Sequence, residues 1–127
     1  MSFTKSLLFF SLFTLSTFCF SQTNVSGGLS SDTTWSLANS PYIVTGSVLV
    51  PTGVTLTIEA GVTVEFNSGL YMKVQGTIIA IGTSSNKITF TSISSNPNKG
   101  DWGKIWLTSS STSFDDDDNY SSGTIFN

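Results

Sequence analysis

With 127 residues, 10% of them charged, a net charge of −3, one cysteine and neither histidine nor arginine, the chain is limited to one modest domain and few chemistries. Imidazole-dependent triads, zinc sites built on histidine, and arginine clamps on phosphate or uronate are excluded by composition. The acidic balance also argues against nucleic acid as a partner.

The opening "MSFTKSLLFFSLFTLSTFCFSQ" places Lys5 before an uncharged run rich in Leu and Phe that reaches Phe20, the layout of a secretory signal peptide. Cleavage is expected after Ser21, with Cys19 and Ser21 as the small residues the peptidase needs. The run from Leu7 to Phe20 is 14 residues, short of the roughly 20 apolar residues that cross a bilayer. Residues 1–21 therefore read as a cleaved leader, and no transmembrane segment is expected after its removal. Phe18 stands where a lipoprotein signal wants a small residue, which argues against lipidation. The cut leaves Lys73, Lys87, Lys99 and Lys104 against eight carboxylates, a net charge of −4. It also removes the only cysteine, so a secreted or cell-surface chain would hold together without disulfides.

Residues 22–32 are rich in Gly and Ser and read as a flexible leader. Residues 33–44, with Trp35 and Leu37, read as a cap over the first coil and its first strand.

From Tyr42 onward the apolar residues keep to even positions: Val44, Val48, Val50, Val54, Leu56, Ile58, Val62, Val64 and Phe66, then Leu70, Met72, Val74, Ile78 and Ala80, and again Ile88 and Phe90. Period two means strand with one buried face. No single strand is that long, and "TGS", "PTG", "EAG", "NSG", "QG" and "GTSSNK" mark the bends. A second period overlies the first. Gly46 precedes Gly69 by 23 residues, Gly53 precedes Gly76 by 23, and Phe66 precedes Phe90 by 24. Short strands repeating at that interval predict an all-β parallel β-solenoid, in which each coil covers the apolar edge of the last. An antiparallel sandwich is the rival, but the bends lack the Asn-Gly or Asp-Gly pairs of tight hairpins. The coils are expected over residues 45–127, interrupted by a polar insertion at 94–101. The terminal "TIFN" suggests a stack that is incomplete at its C-terminal end.

Candidate chemistry is sparse. Glu59 and Glu65 stand on the outward parity, but nothing in their spacing holds them at the separation of a glycosidase pair; they read as solvated charges. The run Asp115, Asp116, Asp117 and Asp118 offers oxygen ligands for Ca²⁺, although its spacing is not that of a twelve-residue calcium loop, and a solvated acidic loop is the simpler expectation. No other cofactor is implied. In "GDWGKIW", Trp102 and Trp106 beside Asp101 are the candidate glycan contacts, with the qualification that Trp106 shares parity with Phe90 and so could be packed. Thr55, Thr57 and Thr63 project outward, but their next-coil positions are expected to be Ile79 and Ile81, which breaks the regular ranks an ice-ordering face needs.

The succession "VLVPTGVTLTIEAGVTVEF", "LYMKVQGTIIAIGTSSNKITFTS" and "GDWGKIWL" resembles the first coils of secreted right-handed parallel β-helix, or pectin-lyase-like, repeat proteins of the Bacteroidetes type. The resemblance spans residues 42–107. It implies a secreted or surface scaffold; the Asp, Arg, Lys or His groups that cleaving members carry on later coils have no counterparts here. The leading expectation is a non-enzymatic extracellular scaffold or adhesion segment. The alternatives are the N-terminal part of a polysaccharide lyase or hydrolase, and a carbohydrate-binding module using exposed Trp. Extracellular polysaccharide or cell-surface components are the expected partners.

Overall fold

Strands that alternate apolar and polar residues have one side to bury, and here the strands between Tyr42 and Ala80 bury it around a common axis. The computed structural model describes residues 21–108 and 112–127. The first coil holds β1 (Thr23–Gly28) and β2 (Thr33–Trp35), followed by a single 3₁₀ turn at Leu37–Asn39. The second holds β3 (Tyr42–Val50) and β4 (Thr55–Ile58), and the third β5 (Thr63–Phe66), β6 (Met72–Val74) and β7 (Thr77–Ala80). The last coil holds β8 (Thr89–Ser92), β9 (Ile105–Leu107), the paired strands β10 (Thr112–Phe114) and β11 (Tyr120–Gly123), and β12 (Ile125–Phe126).

Successive coils pair in parallel on three faces. The first half of β3 lies between β1 and β5, with β8 beyond; its second half lies between β1 and β6, with β9 beyond; β4 lies between β2 and β7, with β12 beyond. The chain is a parallel β-solenoid that winds about three turns from first rank to last. Among the described residues only the β10–β11 hairpin is antiparallel. Among the described residues no helix is long and apolar enough to cross a membrane.

The interior is the even-numbered series. Val44, Val48, Val50, Leu56, Ile58, Val62, Val64, Phe66, Met72, Val74, Ile78 and Ala80 form one buried cluster with Trp35 and Tyr42. The repeated triplet Gly-Val-Thr opens β4 and β5, and its glycines, Gly53 and Gly61, both take positive φ at the corners.

The register corrects the expected interval. Between the second and third coils, Tyr42 pairs with Val64 and Thr55 with Thr77, steps of 22, while Val48 pairs with Met72, a step of 24. Between these two coils the expected 23 is thus the mean of two even steps, which keep the inward side chains at even positions; between the first and second coils 23 is the step itself, with Thr33 paired to Leu56 and the inward Trp35 to Ile58. Phe66 likewise pairs with Ser92, and Phe90 pairs with Val64.

Two expectations for the N-terminal region are also revised. Residues 22–32 carry β1, hydrogen-bonded along β3, where a flexible leader was expected. Residues 33–44 form coil wall in place of a cap: Trp35 ends β2 and points inward, stacked on Tyr42 at 4.9 Å, while Leu37 is exposed. The signal peptide, apart from Ser21, lies outside the described residues.

At the corners, backbone amides left out of the ladders find side-chain oxygens one coil away. Thr55 donates to Asp32 Oδ1 (2.8 Å), Leu37 to Glu59 Oε2 (2.8 Å), Thr63 to Ser40 Oγ (3.0 Å), Tyr71 to Ser47 Oγ (3.2 Å) and Ile78 to Thr124 Oγ1 (3.2 Å). No buried side-chain polar atom lacks a partner among the described residues. Replacing Asp32 by Ala should destabilise the first two coils by about 1 kcal/mol, the worth of an exposed bond to a charged acceptor. Amide hydrogen exchange at Thr55 checks it: the Asp32→Ala chain should exchange faster there, and an unchanged rate would show the tie to be idle.

Candidate functional site

β8 and β9 are separated by the polar segment 93–104, and the register on its far side decides which aromatic faces solvent. Met72 pairs with Ile105 and Val74 with Leu107, so Ile105 and Leu107 continue the inward columns of Val48 and Val50. Trp106 then stands outward in line with Lys73 and Leu49. The step from Met72 to Ile105 is odd, and this reverses the parity that placed Trp106 with Phe90. Trp106 is 46% exposed, with Lys73 Nζ 5.0 Å and Lys104 Nζ 4.7 Å from its ring centre, within range for cation–π attraction.

The other two candidate glycan contacts have structural partners. Trp102 is half-buried and stacks on Phe66 at 4.3 Å with 11° between planes, joining the edge of the core. The Asp101 carboxylate accepts the Asn98 amide (2.8 Å) and its carbonyl accepts the Gly69 amide (3.0 Å), which fixes the loop against the preceding coil. Of the three, Trp106 is the one left open to solvent.

Tyr71 escaped the sequence reading. Its odd number places it outward just before β6, where it is exposed beside Ser47. Met72 donates to the Lys104 carbonyl (3.0 Å), and Gly103, whose amide donates to the Leu70 carbonyl (2.8 Å), lies against Tyr71. A shallow groove of about 160 Å³ runs past Ser47, Leu49, Tyr71, Lys73 and Gln75. The signal for Tyr71 was a large aromatic at an outward position, but without the pairing it had no neighbours to give it meaning.

The acidic run forms the tip of the β10–β11 hairpin. Asp115 Oδ1 accepts the amides of Asn119 (2.9 Å) and Asp117 (3.0 Å), and Asn119 Nδ2 also donates to it (3.3 Å). Asp118 takes positive φ to close the turn. The Asn119 amide, helped by the Asp117 amide and the Asn119 side chain, outweighs desolvation and holds the Asp115 carboxyl below its usual value. A depressed folded value means that these bonds contribute fully above the ordinary aspartate range and are lost as pH falls through the folded value. The Asn119 and Asp117 amide resonances should therefore shift together at a pH below 3.8, and Asp115→Asn should abolish that step. A midpoint at or above the ordinary value would contradict the bonding. Among the described residues no three His, Cys, Asp or Glu side chains converge as a metal site.

Glu59 and Glu65 have separate settings. Glu59 sits at the β4–β5 corner and is bonded to Leu37, whereas Glu65 is mid-strand in β5 between Ile43 and Thr91. The threonine positions also differ from expectation. Thr57 does face Ile79, but Thr55 pairs with Thr77 and Thr63 with Thr89 across even steps, and Thr34 pairs with Thr57 across a step of 23. These pairs are accounted for by the preference of β-branched residues for pleated outer surfaces.

Comparison with known proteins agrees with this architecture. A family model described as "Pectate-lyase like beta helix domain" matches residues 27–122. The chain is also similar to Protein bark beetle of Drosophila melanogaster, with 37% identity over 79 residues, 61% of this chain and 2% of that protein. The chain thus spans a very small part of that relative's length. No solved structure matches it.

Proposed function

Because the chain belongs to the pectate-lyase-like β-helix domain family, we propose that it serves as a non-catalytic extracellular or cell-surface scaffold that presents its outer faces for adhesion. The observation that carries this reading is the employment of its carboxylates. Asp32 and Glu59 tie neighbouring coils, Asp101 fixes the β8–β9 loop, and Asp115 builds the hairpin tip. Four of the eight carboxylates are thus bonded to backbone amides at scattered places in the coils, where acid–base work would need free and convergent groups. The secretory layout of residues 1–21 supports an exported chain.

The test is incubation of the purified chain with a panel of uronate-containing and neutral polysaccharides, with product detected as new reducing ends and as unsaturated uronate. No product above a heat-denatured control is expected. Sustained release of either product would replace the scaffold reading with a polysaccharide lyase or hydrolase.

A further inference from the structure

We propose that the acidic tip of the β10–β11 hairpin docks on the Lys73, Lys104 and Trp106 cluster of a second copy of the chain. Self-association of this kind goes beyond the scaffold reading and is independent of whether the chain cleaves polysaccharide, so the two fail separately.

The two surfaces carry opposite charge, and each has apolar area beside it. At the tip, Asp115 is occupied in closing the turn, where its carboxyl accepts the amides of Asp117 and Asn119. Asp116, Asp117 and Asp118 are exposed, and so is Phe114, the most exposed large apolar side chain among the described residues. On the other surface, the ammoniums of Lys73 and Lys104 lie over the Trp106 ring at 5.0 Å and 4.7 Å. Leu107 continues the inward column of Val50 and Val74, yet it is exposed because β9 is the last strand of its sheet. A partner that reaches over the edge of β9 therefore meets Trp106 and Leu107 together.

Charge selects this pairing over indiscriminate contact. The chain outside the leader has four lysines against eight carboxylates, so copies repel unless unlike patches meet. Two of those four lysines meet around Trp106, and three carboxylates stand at the tip. The cation–π contacts hold the lysines in place and reduce the freedom lost on docking. Carboxylates that reach the ammoniums form charge-assisted hydrogen bonds, and Phe114 adds apolar contact.

Within one copy the two surfaces are rooted on different faces. Trp106 stands outward on the face of β3, β6 and β9. The base of the hairpin is tied to the face of β4, β7 and β12: Thr112 donates to the Thr124 carbonyl, and the Thr124 hydroxyl accepts the Ile78 amide (3.2 Å). Tip on cluster is thus a heterologous contact between copies. It is small beside a standard interface of about 1,600 Å², and a dissociation constant of about 10–100 µM is expected.

The test is sedimentation equilibrium of the purified chain from about 5 to 500 µM. The average mass should rise from one copy toward two or more, and fall back when salt is raised to about 1 M. Asp116→Asn/Asp117→Asn/Asp118→Asn leaves Asp115 to build the turn, and Asn tolerates the positive φ at position 118. This tip variant, the cluster variant Lys73→Gln/Lys104→Gln, and Trp106→Ala should each weaken association by about tenfold or more. Lys87→Gln/Lys99→Gln removes the same charge elsewhere and should change it by no more than about twofold. Mixing the tip variant with the cluster variant should restore association, because the intact tip of one meets the intact cluster of the other. Circular dichroism verifies that each variant keeps its strands; should Trp106→Ala fail to fold, the lysine pair and the mixture decide. A monomer throughout the range, a tip variant that associates like the parent, equal loss in both lysine pairs, or a mixture no more associated than its components would overturn the proposal.

Discussion

Phe66→Ala is expected to destabilise the solenoid by about 3–5 kcal/mol, the cost of deleting a fully buried ring whose site cannot collapse. Phe66 is the largest of the fully buried side chains and ends β5, ranked between Val44 and Ser92. The small serine above it leaves a space that Trp102 fills by stacking on the ring. Removing Phe66 therefore opens a cavity inside the third coil and strips the indole of its support at once. Against a total stability of about 5–15 kcal/mol for a small domain, the change should show as a large drop in the urea midpoint. The double substitution Phe66→Ala/Trp102→Ala should cost less than the sum of the two single ones, because they share one contact. A loss below about 1 kcal/mol for Phe66→Ala would mean that Trp102 or a neighbour refills the space.

Gly76→Ala should be comparably damaging for the opposite reason, an excess of atoms. A Cβ on Gly76 would lie 2.2 Å from the Val54 carbonyl oxygen and 2.3 Å from that of Pro51, both backbone atoms of the preceding coil. The Gly76 amide meanwhile donates to Val50 (3.1 Å), so the β6–β7 corner is seated directly against the β3–β4 corner. Neither carbonyl can move without breaking the register of two coils, and a loss of about 3 kcal/mol or more is expected from such overpacking. Gly28→Ala supplies the comparison: a Cβ there meets nothing within 4 Å, and its stability should be nearly unchanged. Equal melting temperatures for the two variants would refute the seating of the corners.

The place of Phe66 in this arrangement was legible before the fold was known, whereas that of Gly76 was legible only in part. Phe66 is apolar at an even position in a period-two series, which is sufficient to put it inside. Gly76 announced a bend, but the carbonyls that forbid any larger residue come from 22 and 25 positions earlier, and no local signal marks them. Trp106 shows the same limit at the candidate site. Its parity was readable only up to the segment 93–104, and the odd step across that segment turned it from a packed residue into an exposed one. Trp102, equally aromatic and four residues away, went the other way because Phe66 lies beneath it.

The coiled, one-sided character of the chain follows from the order of its residues alone. Alternation sets which side of each strand is buried, glycine-marked bends keep strands short, and a recurrence near 23 residues requires coils to cover one another. Those are properties of neighbouring residues and of spacing, and they need no knowledge of what touches what. The tertiary structure decided everything that depends on register: the even steps of 22 and 24, the ranking of Thr55 on Thr77, the use of Asp32 and Glu59 as ties between coils, and the meeting of Lys73 and Lys104 around Trp106. Residues one coil apart are neighbours in space but more than 20 positions apart in the chain, and insertions of any length leave the ladder intact while changing which side chains it aligns. Hydrogen bonding between backbones is indifferent to side-chain identity, so the register is fixed by the summed burial of the whole stack and not by any single residue within it.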